Sequence, residues 1–371
     1  MYPMPHECGF RSPGEQNVPP LVGAAGDSTD TNHHPTRHRP RAARRPGDQG
    51  VIPHGIMFHH FHDGHHPAGQ GSLSADDLRA LLRFVGRGRI LGAREWLERA
   101  VAGRLEPGQV CLTFDDNLRC QYDVALPVLA EAGLTAFWFV PTATLDGGVE
   151  RLELYWQFRV RCFDDIDLFY EAFFRTLATS VYAERVERAL RDFDAGSYLA
   201  QFRFYSEPDR RFRFVRDEVL GPRCYQHVMD TLIQSMGIEL RELARDVWME
   251  RQHLCRLQAE GHVLGLHTHT HPTRLTELPA AEQLREYRDN YMSLLALLGE
   301  PPTTVAHPCN ACTEETLAIL RGLGVRLGFR SHLAPGQHSE LEFPREDCAN
   351  LLRQMRCGGA PHQAVVEPAA S

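Results

Sequence analysis

Two adjacent aspartates, Asp115 and Asp116, follow the apolar run of residues 111–114, and three alternating histidines, His267, His269 and His271, follow the run Val263–Leu266. Carboxylates and neutral imidazoles are the donor set of Zn²⁺ and other borderline divalent ions. One Asp with two His leaves coordination positions for water and substrate. Adjacent carboxylates repel, and a strand end gains nothing structural from the second. A cation removes the conflict. One aspartate spends its charge as a ligand, and the other sits beside a cation, stays ionised and can act as a base. Either motif alone is weak, because D-D is usually a turn or a helix cap and H-x-H-x-H is often incidental surface. Their shared position after apolar strands carries the argument.

The elements that would hold these residues alternate. Strands are expected near residues 56, 112, 137, 264, 304 and 327, six in all. Helices fall between them, at "SLSADDLRALLRFV" with Ser74 as N-cap, at "REWLERAVAG", at "LPVLAEAGL", and over residues 281–298. Strand–helix alternation implies a parallel sheet, and a parallel α/β barrel presents its chemistry at the C-terminal strand ends. Residues 150–250 break the pattern and read as a helical, aromatic-rich insertion. Most of its aromatics, among them Tyr155, Phe158, Phe169, Tyr170, Phe173 and Phe174, are expected on buried helix faces. A few, with Trp156 as the example, are expected to line the barrel mouth and stack on a ligand. Residues 1–50, rich in Pro, Gly, Arg and His, read as a disordered tail whose place in the native chain is open. The fold expected is α/β, a barrel over residues 51–371 with one insertion.

Composition narrows the chemistry. The chain has 371 residues, 43% of them apolar and 24% charged, with a net charge of −8, which argues against a nucleic-acid surface. All 40 basic residues are arginine. Without lysine there is no Schiff base, no pyridoxal phosphate chemistry and no Walker A lysine. Ten cysteines without a small-domain spacing suggest a reducing compartment, so a cytoplasmic location is expected. Cys309 and Cys312 form a single C-x-x-C, read as buried thiols at a strand–helix junction. No apolar run reaches the ~18 residues of a membrane span, and no signal peptide is evident.

"LTFDD" and "HTHTHP" resemble the first two motifs of the polysaccharide deacetylases, the NodB-homology group of carbohydrate esterases. The resemblance covers roughly residues 51–148 and 255–350. It implies a distorted (β/α)₇ barrel in which Asp115 is the general base and Asp116, His267 and His271 bind a divalent metal, Zn²⁺ in the first instance. His269 takes a position that is usually not a ligand. In a subgroup acting on exopolysaccharide N-acetylglucosamine, the general acid comes from an N-terminal Y-H-[D/H] segment. "MFHHF" resembles that segment and places His59 at the acid's position, with His60 facing the other way. His332 and His338 are the alternatives for the acid. Two departures stand out. "AHPCN" lacks the usual third-motif side chains, and Asn117 replaces the common Gly after the aspartates.

The expected function is removal of N-acetyl groups from a sugar, glycan or glycan precursor. A non-sugar amide substrate, or a non-catalytic glycan-binding or assembly role on the same barrel, are the alternatives. A non-haem iron oxygenase shares the two-His, one-carboxylate set but leaves the second aspartate unexplained. The oligomeric state is open.

Overall fold

The computed structural model describes residues 52–199, 205–333 and 339–358. The tail expected over residues 1–50 and the candidate His338 lie outside them. Seven parallel strands run β1 (His54–Phe58), β2 (Val110–Phe114), β3 (Phe137–Val140), β4 (Val263–Leu266), β5 (Thr304–Ala306), β6 (Leu327–Phe329) and β7 (Arg345–Asp347). Their order is β6-β5-β4-β3-β2-β1-β7. The strands are short and buried on both faces, as parallel strands covered by crossover helices must be. Phe137, Phe139, Leu327 and Phe329 cluster with Trp96 on one face, and Phe58, Leu112, Phe114, Trp138 and Leu266 join the helices on the other.

The sheet curls into a nearly closed barrel. The two outer strands are joined where the backbone N–H of Phe343 donates to Gly328 O (2.8 Å) and that of Arg330 to Phe343 O (2.9 Å). Gly328 permits this seam, because a Cβ there would lie 2.2 Å from the carbonyl oxygen of Leu341. Six strands were expected, and β7 is the correction. Its residues are Arg345, Glu346 and Asp347, so no apolar run announces it.

The outer layer consists of α1 (Ala75–Val85), α2 (Ala93–Val101), α3 (Leu126–Glu131) and, further on, four more helices. Ser74 opens α1 through a capping box with Asp77. Between β3 and the barrel helix that precedes β4, the described residues form six helices, α4 (Arg151–Cys162), α5 (Ile166–Ala178), α6 (Ala183–Leu190), α7 (Glu207–Phe214), α8 (Gly221–Ser235) and α9 (Leu240–Leu243). They bury their own apolar cluster, which includes Leu154, Tyr155, Phe158, Phe169, Phe173, Phe212 and Tyr225. The barrel resumes with α10 (Arg251–Ala259), α11 (Ala280–Leu298), α12 (Glu314–Gly322) and α13 (Cys348–Arg356). No helix among the described residues is long and apolar enough to cross a membrane.

Candidate active site and metal centre

Register sets the site. Phe58 pairs with Phe114 at the ends of β1 and β2, so His59 and Asp115 leave the barrel side by side at the same level. β4 pairs with β3 through Leu266 and Val140, which brings His267 to that same rim. The backbone then turns sharply. Asp116 and Asn117 after β2, and Thr268 and His271 after β4, all have positive φ, at 75°, 59°, 61° and 56°. Four non-glycine residues in the left-handed region around one point are sustained only by surrounding structure, and such strain gathers at functional sites. Asn117 is the substitute for glycine that tolerates this conformation best, and its amide Nδ2 donates to Met249 O (3.1 Å).

The side chains that create this geometry converge. Nε2 of His267 lies 3.3 Å from Asp116 Oδ1, and Nε2 of His271 lies 3.4 Å from the same oxygen. Among the described residues, Asp116, His267 and His271 are the group able to hold a metal ion. The donor set fits one on physical grounds. His267 Nδ1 sits 2.9 Å from the carbonyl oxygen of Ala306, which takes its proton and leaves the Nε2 lone pair facing Asp116. In that tautomer the His267 lone pair aimed at a carboxylate oxygen is repulsive without a cation. Separations of 3.3–3.4 Å are also close to the spacing of neighbouring ligands in a tetrahedral site with bonds of about 2.0–2.1 Å.

Neighbours hold the histidine loop. On α11, Glu286 accepts the backbone N–H groups of His269 (3.0 Å) and Thr270 (2.8 Å). Asn290, buried one turn beyond Tyr287, accepts from the N–H of His267 (2.9 Å) and donates to Val140 O (2.8 Å), tying the ends of β3 and β4 together. His269 turns away, with Nδ1 3.0 Å from Thr142 Oγ1.

Asp115 and Asp116 meet different partners. Asp115 points inward and receives Arg345 through two bonds, Nη1 to Oδ1 and Nη2 to Oδ2, both 2.8 Å. Arg345 reaches it from β7 across β1, where Gly55 makes room: a Cβ on Gly55 would lie 3.0 Å from Arg345 Cγ. Burial pushes the Asp115 carboxyl up, but Arg345 and the neighbouring histidines hold it below the usual carboxylate range. Asp116 is treated likewise by burial and by His267 and His271, and ends far below that range. Burial lowers His271 to about 4, which keeps it neutral as a ligand must be. For His267 the lowering by burial is outweighed by the two aspartates.

His59 stands about a third exposed at the mouth, its Nε2 3.9 Å from Asp116 Oδ2 and 4.0 Å from Asp115 Oδ2. His60 points the other way. Its Nε2 lies 2.8 Å from Glu153 Oε2, and its ring stacks on Trp156 at 3.9 Å with 10° between the planes. Trp156 therefore covers His60 instead of offering a face to a ligand at the mouth. His332 is exposed after β6 and joins none of these groups in a metal-ligand cluster. Cys309 is exposed instead of buried, in a turn with φ 49°.

Arg345, Glu286, Asn290 and Glu153 were not foreseen. Asn290 had a readable signal, a polar residue on the buried stripe between Tyr287 and Leu294. Residues 227–328, which carry His267 and His271, match the family model for polysaccharide deacetylase. Over that segment the chain resembles the polysaccharide deacetylases of the NodB-homology group. Solved structures similar to it include the Streptococcus pyogenes deacetylase PplD in complex with acetate, at 16% identity over 82% of this chain and 99% of that one, TM-score 0.49. IcaB from Ammonifex degensii shares 18% identity over 83% and 97%, TM-score 0.48. A de-N-acetylase from Aggregatibacter actinomycetemcomitans shares 11% over 80% and 93%, TM-score 0.44. No curated protein matches the sequence.

Proposed function

We propose that this chain removes N-acetyl groups from a sugar, glycan or glycan precursor by metal-assisted hydrolysis. The carrying observation is the division of labour within one aspartate pair: Asp116 faces two histidines while Asp115 faces Arg345. Asp116, His267 and His271 would hold the ion, Zn²⁺ by donor type, which supplies Lewis acidity for an amide carbonyl and for water. Asp115 takes the proton of the attacking water. Arg345 keeps that carboxylate ionised and fixed in plane, so no energy is spent orienting it during the reaction. His59, at the half-open mouth facing both carboxylates, delivers a proton to the departing amine.

A cytoplasmic location is part of this reading, supported by the free state of all nine cysteines among the described residues. The test is acetate release with added Zn²⁺ from N-acetyl sugars, nucleotide sugars and short glycans. Acetate should appear with the native chain and fall sharply in Asp115→Asn. No release from any of them, or full release by Asp115→Asn, would overturn the reading.

A further inference from the structure

Beside the metal centre lies a cleft of about 670 Å³. His271 and Arg274 line its barrel side; Arg151, Arg216 and Tyr225, with the carboxylates of Glu150 and Asp217, line the insertion side. Arg216 belongs to the wide turn Val215–Leu220 that continues α7. Its Nε and Nη2 bind the two oxygens of Asp217, at 2.6 and 2.8 Å, which leaves Nη1 outside that pair.

Two more guanidinium groups lie close enough to interact with it electrostatically. Arg159 on α4 lies over the ring of Phe169, and Arg213 on α7 lies 3.9 Å over that of Tyr205. Their Nε atoms are buried without an acceptor, and neither side chain pairs with a carboxylate among the described residues. Burial lowers the basicity of Arg159; next in influence come the hydroxyls of Tyr225 and Tyr170, then two like charges, Arg216 and Arg213. Tyr225, which lines the cleft, is under the influence of all three arginines. Unpaired buried cations are expensive, and Arg159 and Arg213 are two of them close to a third arginine, Arg216, whose charge Asp217 only partly offsets. The chain as a whole is acidic, at −8, so this concentration does not follow from its average composition. A guanidinium cluster at a cleft matches the planar oxygens of phosphate and carboxylate.

We propose that the insertion recognises an oxyanion substituent, phosphoryl or carboxylate, on the N-acetylated substrate. Arg216 makes the contact, and Arg159 and Arg213 sustain the positive potential around it. The inference deepens the deacetylase reading and rests on it for the remainder of the ligand.

Binding of glucose 1-phosphate, glucuronate and glucose, none of which carries an acetamide, tests it by calorimetry. At least one anionic sugar should bind more tightly than glucose by about tenfold or more, the worth of one charge-assisted hydrogen bond. The stronger of the two identifies the oxyanion. In Arg216→Gln the preference should vanish while the circular dichroism spectrum stays native. Arg159→Gln should weaken it too; if that buried variant fails to fold, Arg216→Gln carries the test. The preference should survive in Asp116→Asn. Equal binding of all three sugars, a preference retained in Arg216→Gln, or one lost in Asp116→Asn would overturn the proposal. Arginine-dependent binding in a chain that releases acetate from no substrate would keep the anion site and reject the deacetylase reading.

Discussion

Arg345 and Asp115 form a two-bond ion pair, Nη1 and Nη2 each 2.8 Å from one carboxylate oxygen, with both side chains almost wholly buried at 1% and 2% exposure. The two residues are 230 positions apart in sequence, on adjoining sides of β1. The pair joins the last strand of the barrel to the proposed base and explains how Asp115 stays charged in a dry interior.

Removing one member exposes the dependence of the other. Arg345→Met leaves a buried carboxylate unpaired and should destabilise the chain by about 3–5 kcal/mol, read by denaturant unfolding. Arg345→Lys keeps the charge but loses the planar fork. Because the two bonds from Arg345 help oppose the upward push of burial on Asp115, loss of that fork raises the carboxyl. The acid limb of the kcat/KM profile should then move to higher pH in Arg345→Lys. An unmoved limb would separate Asp115 from the rate.

The two aspartates should also separate in metal content. Asp116→Asn and His271→Ala should lose the ion and the activity together. Asp115→Asn leaves the three ligands in place, so it should keep about one ion per chain while kcat falls by roughly 10²–10⁴-fold. Elemental analysis with the kinetics decides. Metal lost from Asp115→Asn but retained in Asp116→Asn would reverse the two roles.

What the sequence disclosed follows from what is local. Asp115–Asp116 and His267–His271 are contiguous motifs behind apolar runs, and the opposite facing of His59 and His60 is the period of a strand. The six apolar strands were legible for the same reason. β7 was not, since a three-residue strand of Arg, Glu and Asp looks like surface, and only the fold shows that Arg345 is its buried side chain. Trp156 was misjudged for a related reason. Helical spacing shows that an aromatic has a face to cover, but its partner, His60, is 96 residues away by the numbering. Glu286 and Asn290 act across α11 on a loop they do not adjoin, and no periodicity encodes that.

The His60 contact makes a prediction about the insertion. Glu153 binds His60 at 2.8 Å and accepts from Gln157 Nε2 at 2.8 Å, and Trp156 covers the imidazole. Together they fix the strand end that carries His59. Trp156→Ala and Glu153→Gln should lower kcat by about tenfold, the scale of a small misplacement of a catalytic group, with KM little changed. Gly69→Ala should do more damage, because its Cβ would lie 2.5 Å from the Trp156 ring and 2.8 Å from Val160. A raised KM with native kcat in Trp156→Ala would return the indole to substrate binding.

The last prediction concerns acid. His54, His262 and His307 are buried, and burial lowers each of them from 6.5 to about 4. Their bonding explains why protonation is resisted. His262 Nδ1 accepts the backbone N–H of Ala136 at 3.0 Å, a bond that exists only while that nitrogen is unprotonated. His307 Nε2 lies 2.8 Å from Leu341 O, and its Nδ1 is buried without an acceptor for a second proton. Between about pH 6.5 and 4 the unfolded chain binds these protons and the folded chain does not. Stability therefore rises with pH across that window and is lost on acidification, with each imidazole contributing up to about 1.4 kcal/mol per pH unit. His262→Gln can still accept from Ala136 but cannot titrate. It should fold, and its stability measured from pH 4 to 7 should fall less steeply than that of the native chain, by about one proton's worth of slope. A slope equal to the native one would mean that His262 is already protonated in the folded state.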